Sequence, residues 1–310
     1  MAFLVVAPFS IMPTRAGLKP GAGAGLLTGR LAVDGAARKA GFAMPDTSPP
    51  SLSTAEEPPP EDGWRPDLGL LRAQLDELDD KIHDLLMQRA SVVEGVARTR
   101  KAAAFRPGRE ASILRRLLAR HRGELPARTL VRMWRELFAG TTAMQTDVSV
   151  AVAELNNTNV LNALAREHFG FLTPVPMFPS ATAALDAVRT GLATLAVLPF
   201  PTETNAWWPA LRGARPHLHI IARLPFWNER RRDVPTADAL VVGRAAPDAS
   251  GIDRSFLVAA NHASLTDAGL TVRLAYGDVA EVEGMVLDGD PRLPASTVAL
   301  GGYAVPVPGE

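Results

Sequence analysis

The feature that most constrains this chain is an apolar heptad repeat that a charge interrupts. Apolar side chains recur from residue 71 at steps of three and four, the spacing of one packed stripe on a long helix. This stripe, the seam, comprises Leu71, Leu75, Leu78, Ile82, Leu85, Val92 and Val96. Arg89 lies on the seam where the repeat asks for another apolar residue. Because a buried guanidinium is costly without an anionic partner, the pattern predicts an anionic ligand held among helices.

Three helices are predicted in this part of the chain, over about residues 67–104, 108–121 and 129–146. Pro107 fits the first turn of the second helix, where its fixed φ suits the backbone. The apolar face of the third helix is predicted to comprise Leu130, Met133, Trp134, Leu137 and Phe138. The seam is longer than one short partner can cover, so we expect the long helices of two copies to pair in a homodimer.

Polar side chains are predicted on the inward sides of all three helices. Paired arginines suit a dicarboxylate, because each can grip a carboxylate through two parallel hydrogen bonds. Glu110 can accept a hydrogen bond from a ligand hydroxyl, while Gln145 and Arg100 can donate to an oxygen that gains negative charge. A reaction served by such a set needs positioning and charge stabilisation, and we expect neither cofactor nor metal. The predicted set comprises Arg72, Arg89, Arg100, Arg109, Glu110, Thr141 and Gln145.

The pattern changes after residue 146 to alternating strands and helices, which is typical of an α/β fold. Short buried strands are predicted over about 148–154, 193–198, 219–222 and 239–242, with a helix over 181–190. The tail from 256 to about 305 mixes strand-like pieces with one weak helix near 263–269. The chain is therefore predicted to be multi-domain, with a helical domain over 65–147 and an α/β domain over 148–310.

Charge and composition limit the classes of partner that the chain is expected to bind. The chain is neutral overall, but residues 65–146 carry 16 basic and 10 acidic side chains, whereas residues 147–310 carry 12 and 17. A basic helical half suits an anionic ligand, yet it is too weakly charged and too interleaved with acids to predict nucleic-acid binding. The chain has no cysteine, which excludes disulfides and thiolate catalysis and fits a reducing compartment.

The first 64 residues are predicted to be a disordered leader. Residues 14–64 are rich in Gly, Ala, Pro and Ser, and Met44 offers an alternative start that would leave the first 43 residues outside the natural protein. The apolar opening over 1–13 has no basic residue before it and makes a poor signal peptide. No stretch reaches the length of a membrane span, so we expect a cytoplasmic protein.

Three blocks of the helical part resemble the all-helical, AroQ-class chorismate mutases. They are LRAQLDELDDKIHDLLMQRASVVEGVARTRK, RPGREASILRRL and WRELFAGTTAMQ, and they appear in this order within about residues 65–147. The resemblance implies an intertwined homodimer with chorismate as its substrate. It also implies a pericyclic rearrangement to prephenate in phenylalanine and tyrosine biosynthesis.

The resemblance also implies a role for each polar residue. Arg72 would reach across the dimer to a substrate carboxylate, Arg89 would bind one from its own protomer, and Arg109 would support that site. Glu110 would bind the ring hydroxyl. Thr141 would stand at the position of a small hydroxyl residue, and Gln145 would donate to the ether oxygen that becomes enolate-like.

Two positions depart from the family pattern. The family usually has Lys where this chain has Arg100, with Lys101 next to it, so either side chain is a candidate donor to the ether oxygen. The family often has Asp three residues before the equivalent of Arg109, and here that residue is Arg106. The segment joining the first two helices is also shorter.

The second half carries a weaker resemblance, to prephenate dehydratases. SATAALDAVRTGLATLAVLPFPTETN and ADALVVGRA resemble two of their segments, but Pro201 replaces a Glu, and Ala237-Asp238-Ala239 replace their Thr-Arg-Phe motif. We therefore expect residues 148–310 to be a degenerate, truncated dehydratase-like domain that does not dehydrate prephenate. Residues 256–305 are a candidate remnant of a regulatory domain with an aromatic amino acid as effector.

Two alternative functions stay open at this point. Related helical folds cleave pyruvate from isochorismate, and the short segment between the first two helices is compatible with that reaction. A non-catalytic regulatory protein that binds aromatic amino acids is the other, motivated by Arg106 and by the eroded second half. Substrate assays and calorimetry separate the three hypotheses.

Overall fold

The computed structural model describes residues 67–99, 105–155, 158–212, 215–227 and 237–308. The chain divides into the units Met1–Arg65 and Pro66–Glu310, and all the described residues belong to the second. The predicted leader over 1–64 lies outside the described residues, as do Arg100 and Lys101.

The three predicted helices are confirmed. They are α1 (Leu68–Thr99), α2 (Pro107–Arg120) and α3 (Ala127–Ala143). Pro107 occupies the first turn of α2, where its missing N–H leaves no intrahelical bond unmade. α3 ends three residues earlier than predicted, at a tighter turn in which the amide of Gln145 bonds three residues back to the carbonyl of Thr142.

The face that α3 buries shares Phe138 with the predicted face and is otherwise shifted. Its buried side chains are Val131, Arg135, Phe138, Thr141 and Thr142. Met133, predicted to face inward, is 51% exposed. Steps of four and three from Val131 lead to Arg135 and then Phe138, so the true stripe keeps helical spacing but lies on the neighbouring side and contains a charge.

α1 leaves its apolar seam uncovered in the single chain. The seven seam side chains are between 39% and 64% exposed. α2 and α3 bury their apolar faces instead, and they do so against the rest of the chain. One apolar cluster joins Ala111, Leu114, Val131 and Phe138 of the helices to Phe226, Trp227 and Ala304 of the α/β half.

The described residues of the α/β half form one mixed sheet of nine strands. Its strands are β1 (Val150–Ala153), β2 (Met177–Phe178), β3 (Leu195–Pro199), β4 (His219–Leu224), β5 (Ala239–Gly243), β6 (Asp253–Val258), β7 (Val272–Tyr276), β8 (Val279–Glu283) and β9 (Val298–Ala304). Their order across the sheet is β2-β1-β3-β5-β4-β9-β6-β8-β7. The four predicted strands are β1, β3, β4 and β5, and the strands of the tail extend the same sheet.

Among the residues that the structure describes, three α-helices accompany the strands: α4 (Val160–Phe169), α5 (Ala181–Thr190) and α6 (Ala263–Asp267). The predicted helix over 181–190 is confirmed as α5, which Ser180 caps by accepting a hydrogen bond from the amide of Ala183. β1 pairs in parallel with β2 and β3, and β5 is antiparallel to both β3 and β4. α4 packs against α3, which brings the α/β half beside the helical site.

Within the described ranges, none of the helices combines the length and the apolar character that a membrane crossing requires.

Candidate functional site

Arg89, in the second half of α1, contacts Phe138 of α3. Its guanidinium carbon is 5.7 Å from the centroid of the Phe138 ring, in a cation–π contact. Its Nη1 atom is buried and has no hydrogen-bond partner among the described residues. Burial lowers the pKa of Arg89, and the nearby carboxylate of Glu110 opposes that shift. The site therefore contains a buried cationic donor with an unused hydrogen-bonding position.

Glu110 lies in the first turn of α2 and is buried. Arg135 of α3 donates from Nη1 to its Oε2 at 2.8 Å. The pKa of Glu110 is raised from 4.5 to about 7, chiefly by burial, with Asp248 adding to the rise and Arg135 and Arg89 opposing it. The carboxyl group is thus divided between its neutral and ionised forms near neutral pH, and it can donate or accept a hydrogen bond.

Arg135 was missed by the sequence reasoning, although a signal was present. It lies between Val131 and Phe138 at helical spacing, so it is a charge on the buried stripe of α3, as Arg89 is on the seam. Its guanidinium carbon is 5.0 Å from the centroid of the Phe226 ring, and its Nη1 is 3.5 Å from Nε2 of His168. Burial and the nearby guanidinium hold the pKa of His168 well below 6.5, so the imidazole is neutral.

Thr141 and Gln145 are satisfied by their own helix. The hydroxyl of buried Thr141 donates to the carbonyls of Leu137 at 2.8 Å and Phe138 at 3.2 Å. The Gln145 amide donates to the carbonyl of Thr141 at 3.0 Å. A ligand that takes a hydrogen bond from Gln145 would have to replace this local bond, which is weak enough to exchange.

Arg72 and Arg109 lie apart from this centre in the single chain. Arg72 is exposed near the start of α1. At 1.5 Å per residue it is about 25 Å along the helix axis from Arg89. The side chain of Arg109 is exposed although its neighbour Glu110 is buried. The structure thus brings Arg89 and Glu110 together, and the roles of the other predicted residues stay predictions.

Arg106, the departure noted in the sequence, has a carboxylate partner from the other half of the chain. Its Nη2 lies 3.2 Å from Oδ2 of Asp248. The same carboxylate accepts hydrogen bonds from the amides of Gly108 at 3.0 Å and Arg109 at 3.2 Å. Nothing in the sequence indicated Asp248, because 140 residues separate it from Gly108.

A cavity of about 610 Å³ opens beside the centre, between the end of α3 and the α/β half. Glu110, Phe138, Thr142 and His168 are among its lining residues. Glu110 is therefore reachable from this cavity although little of its surface is exposed. In the part of the chain that the structure describes, no group of three or more His, Cys, Asp or Glu side chains is placed to hold a metal ion.

The helical part has a clear relationship to known proteins. Residues 71–146 match the family model of chorismate mutase type II. The matched segment contains every predicted site residue from Arg72 to Gln145, together with Arg135. It ends before β1, so the α/β half lies outside the match.

A curated relative supports the same relationship over part of its length. The bifunctional chorismate mutase/prephenate dehydratase of Stutzerimonas stutzeri is 28% identical over 146 residues, which is 44% of this chain and 40% of the relative. The corresponding protein of Pseudomonas aeruginosa is 26% identical over the same shares. The chain therefore matches about two fifths of the length of these relatives.

Solved structures give weaker similarities. One described as a novel type of quorum-quenching acylase has a TM-score of 0.35 and 16% identity, covering 50% of this chain and 94% of its own. The prephenate dehydratase of Arthrobacter aurescens in complex with L-Phe has a TM-score of 0.38 and 14% identity, covering 51% and 90%. TM-scores this low carry no weight for function here.

Proposed function

We propose that this chain is a chorismate mutase, an isomerase that converts chorismate to prephenate in the biosynthesis of phenylalanine and tyrosine. The observation that carries the proposal is the unused, buried donor of Arg89 beside Glu110, inside a segment that matches the type II family. A buried guanidinium nitrogen without a partner favours an anionic ligand, and chorismate is a dicarboxylate.

In this proposal the protein contributes to the rearrangement mainly by positioning the substrate. The rearrangement is intramolecular, so no bond to the enzyme has to form, and the residues need to hold the substrate compact and stabilise the charge that develops. In this mechanism Arg89 binds a carboxylate through charge-assisted hydrogen bonds. Glu110, with its pKa near 7, bonds the ring hydroxyl.

The remaining residues complete the site in this proposal. Gln145 exchanges its bond to the Thr141 carbonyl for one to the ether oxygen, and Arg100 or Lys101 donates to the same oxygen. Thr141 stays bound within α3 and fixes the backbone from which Gln145 extends. Arg109 supports the carboxylate site from the first turn of α2.

The active form in this proposal is a homodimer. The exposed seam of α1 supports it, because seven apolar side chains in one stripe favour burial against a second copy. The Arg72 of one copy would then reach the site of the other. Light scattering during gel filtration should give twice the chain mass of 33.0 kDa.

A matched pair of variants tests the seam. Leu78→Glu places a charge on it and should give a monomer, whereas Asp80→Asn changes a neighbouring exposed side chain on α1 and should leave the dimer intact. A wild-type chain that runs at the mass of one copy would rule out the homodimer.

The decisive experiment follows the loss of chorismate absorbance with the purified full chain and identifies the product by chromatography. Prephenate alone supports the proposal and agrees with a second half that does not dehydrate. Phenylpyruvate formed at neutral pH would show that the α/β half is active. Turnover of isochorismate instead would support the pyruvate-lyase alternative, and no turnover of either substrate would support the binding protein.

The effector and the location are proposed from the sequence. Calorimetry with L-phenylalanine and L-tyrosine tests whether the α/β half binds an aromatic amino acid. Fractionation of cells that express the full chain tests the cytoplasmic location.

A further inference from the structure

The first turn of α2 is held from outside the helical part. The carboxylate of Asp248, in the loop between β5 and β6, accepts from the amides of Gly108 and Arg109 at 3.0 and 3.2 Å. Amides at a helix start have no partner within the helix, so Asp248 does what an N-cap side chain does, but from a distant part of the chain. The negative charge also suits the positive end of the helix dipole.

This loop approaches α2 so closely that position 108 has no room for a side chain. A Cβ atom at Gly108 would lie 2.1 Å from the carbonyl oxygen of Asp248. Two turns later, Arg115 donates to Oγ of Ser250 at 2.8 Å and to the carbonyl of Val305 at 2.6 Å. These contacts fix α2 along its first two turns against the loop and the end of β9.

Glu110 is held from its other side as well. Its partner Arg135 lies with its guanidinium carbon 5.0 Å from the centroid of Phe226 and its Nη1 3.5 Å from Nε2 of His168. Phe226 follows β4, and His168 lies on α4, so both belong to the α/β half. The side chain of Arg135 is only 6% exposed, which leaves its guanidinium few alternative positions.

We propose that the α/β half is a positioning element of the site in the helical half. Asp248 fixes the turn that carries Arg109 and Glu110, while His168 and Phe226 fix Arg135 against the Glu110 carboxylate. The inference rests on the proposed function, since it assigns the α/β half a part in presenting Glu110 to the substrate. The α/β half can play this role without catalysing any reaction itself.

The charges around Glu110 make the proposal measurable. The groups facing it are Arg89 from α1, Arg135 from α3, Asp248 from the loop and neutral His168 from α4. Asp248 raises the pKa of Glu110, whereas Arg135 lowers it. Removing these two charges should therefore shift the pKa in opposite directions, which general loosening of the structure would not do.

The test uses Asp248→Asn and Arg135→Gln in the full chain, without ligand. Asparagine keeps an oxygen for the α2 amides and removes the charge, so the pKa of Glu110 should fall. Glutamine keeps a donor for Glu110 and removes the cation, so that pKa should rise. The pKa is read from the side-chain carboxyl carbon by ¹³C NMR, with the signal assigned by Glu110→Gln. Asp267→Asn, at an exposed position on α6, is the control and should change nothing.

Activity supplies the second readout. Asp248→Ala also loses the oxygen that caps α2, so the turn that carries Glu110 is held less firmly and kcat/KM should fall roughly fivefold to tenfold. Asp248→Asn should recover much of that loss while moving the acid limb of the pH profile downward. Thermal melts of each variant identify a change that comes from unfolding.

The outcomes separate this inference from the proposed function. An unchanged Glu110 pKa in Asp248→Asn, or shifts of the same sign in both variants, overturns the positioning role even if the wild type forms prephenate. Opposite shifts in a wild type that does not turn over chorismate would support the positioning of Glu110 and refute the mutase. If Asp248→Asn does not fold, Arg106→Gln weakens the hold on the same carboxylate, and the Glu110 pKa must then change for the inference to stand.

Discussion

At the scale of single residues, the site depends on two arginines that stand where the helical pattern asks for apolar side chains. Arg89 interrupts the seam of α1, and Arg135 interrupts the buried stripe of α3. They differ in their partners. Arg135 is paired with Glu110 at 2.8 Å, whereas Nη1 of Arg89 has no partner within the described ranges. The unpaired arginine is the one expected to bind substrate, and the paired one is expected to hold a neighbour.

Replacing Arg89 by alanine should therefore abolish most of the mutase activity. Removal of one charge-stabilising donor from a water-poor site typically costs about 10²–10³ in rate, and we expect Arg89→Ala to lose at least that in kcat/KM. Arg98→Ala is the matched control, because Arg98 lies on the same helix, is exposed and pairs with Glu94 in an i, i+4 contact. Chorismate assays at saturating and limiting substrate measure both variants. Activity like that of the wild type in Arg89→Ala would refute its role.

The titration of Glu110 should make the free energy of unfolding depend on pH. Its pKa is about 7 in the fold against 4.5 in the unfolded chain, so the folded state binds the extra proton between these values. Its stabilising contribution is complete below about pH 4.5, and it is lost as the pH rises through about 7. The loss is at most about 3 kcal/mol, and Glu110→Gln should remove it. Urea unfolding at pH 5 and pH 8 measures the difference, and a variant with the same pH dependence as the wild type would contradict the assignment.

At the scale of elements, sequence patterns predicted those helices and strands whose formation depends on neighbouring residues. The periodicity of the seam and the proline at the start of α2 located three helices, and runs of apolar residues located β1, β3, β4 and β5. β2 was missed because two residues give a short signal. α4 was also missed; it is as long as α5 but begins without the side-chain cap that Ser180 supplies to α5. The order of β6 to β9 in the sheet follows from pairing between distant segments, which periodicity does not encode.

The start of α2 offers a test at this scale, because it depends on the absence of a side chain at Gly108. Gly108→Ala should be destabilising by about 2 kcal/mol or more, since a Cβ would lie 2.1 Å from a backbone oxygen that cannot move without the loop. Gly95→Ala is the control. Gly95 lies inside α1 with nothing within 4 Å of an added Cβ, so alanine there should be neutral or stabilising. Thermal unfolding of both variants in the same buffer measures how much each substitution changes the stability.

At the scale of the whole molecule, the sequence predicted a helical part and an α/β part but not how they join. Arg109 and Glu110 were predicted as site residues from the sequence, whereas their neighbours Asp248 and His168 come from elsewhere in the chain. Gly108 and Asp248 are 140 residues apart in the sequence, so local periodicity cannot predict the contact between them. Side chains at the join could be identified only once the fold had placed both halves together.

The shared core implies that the two halves gain stability together. Leu114 of α2 is fully buried in the cluster that includes Phe226 and Ala304, so a cavity at Leu114 would loosen both sides. Leu114→Ala should cost about 2–5 kcal/mol. Hydrogen exchange of the full chain, followed by mass spectrometry, should show protection falling by similar free energies in α2, β4 and β9, because these elements open as one unit. Loss of protection confined to α2 and α3 would mean that the helical part opens by itself. The α/β half could then hold Glu110 in place only while the helical part stays closed.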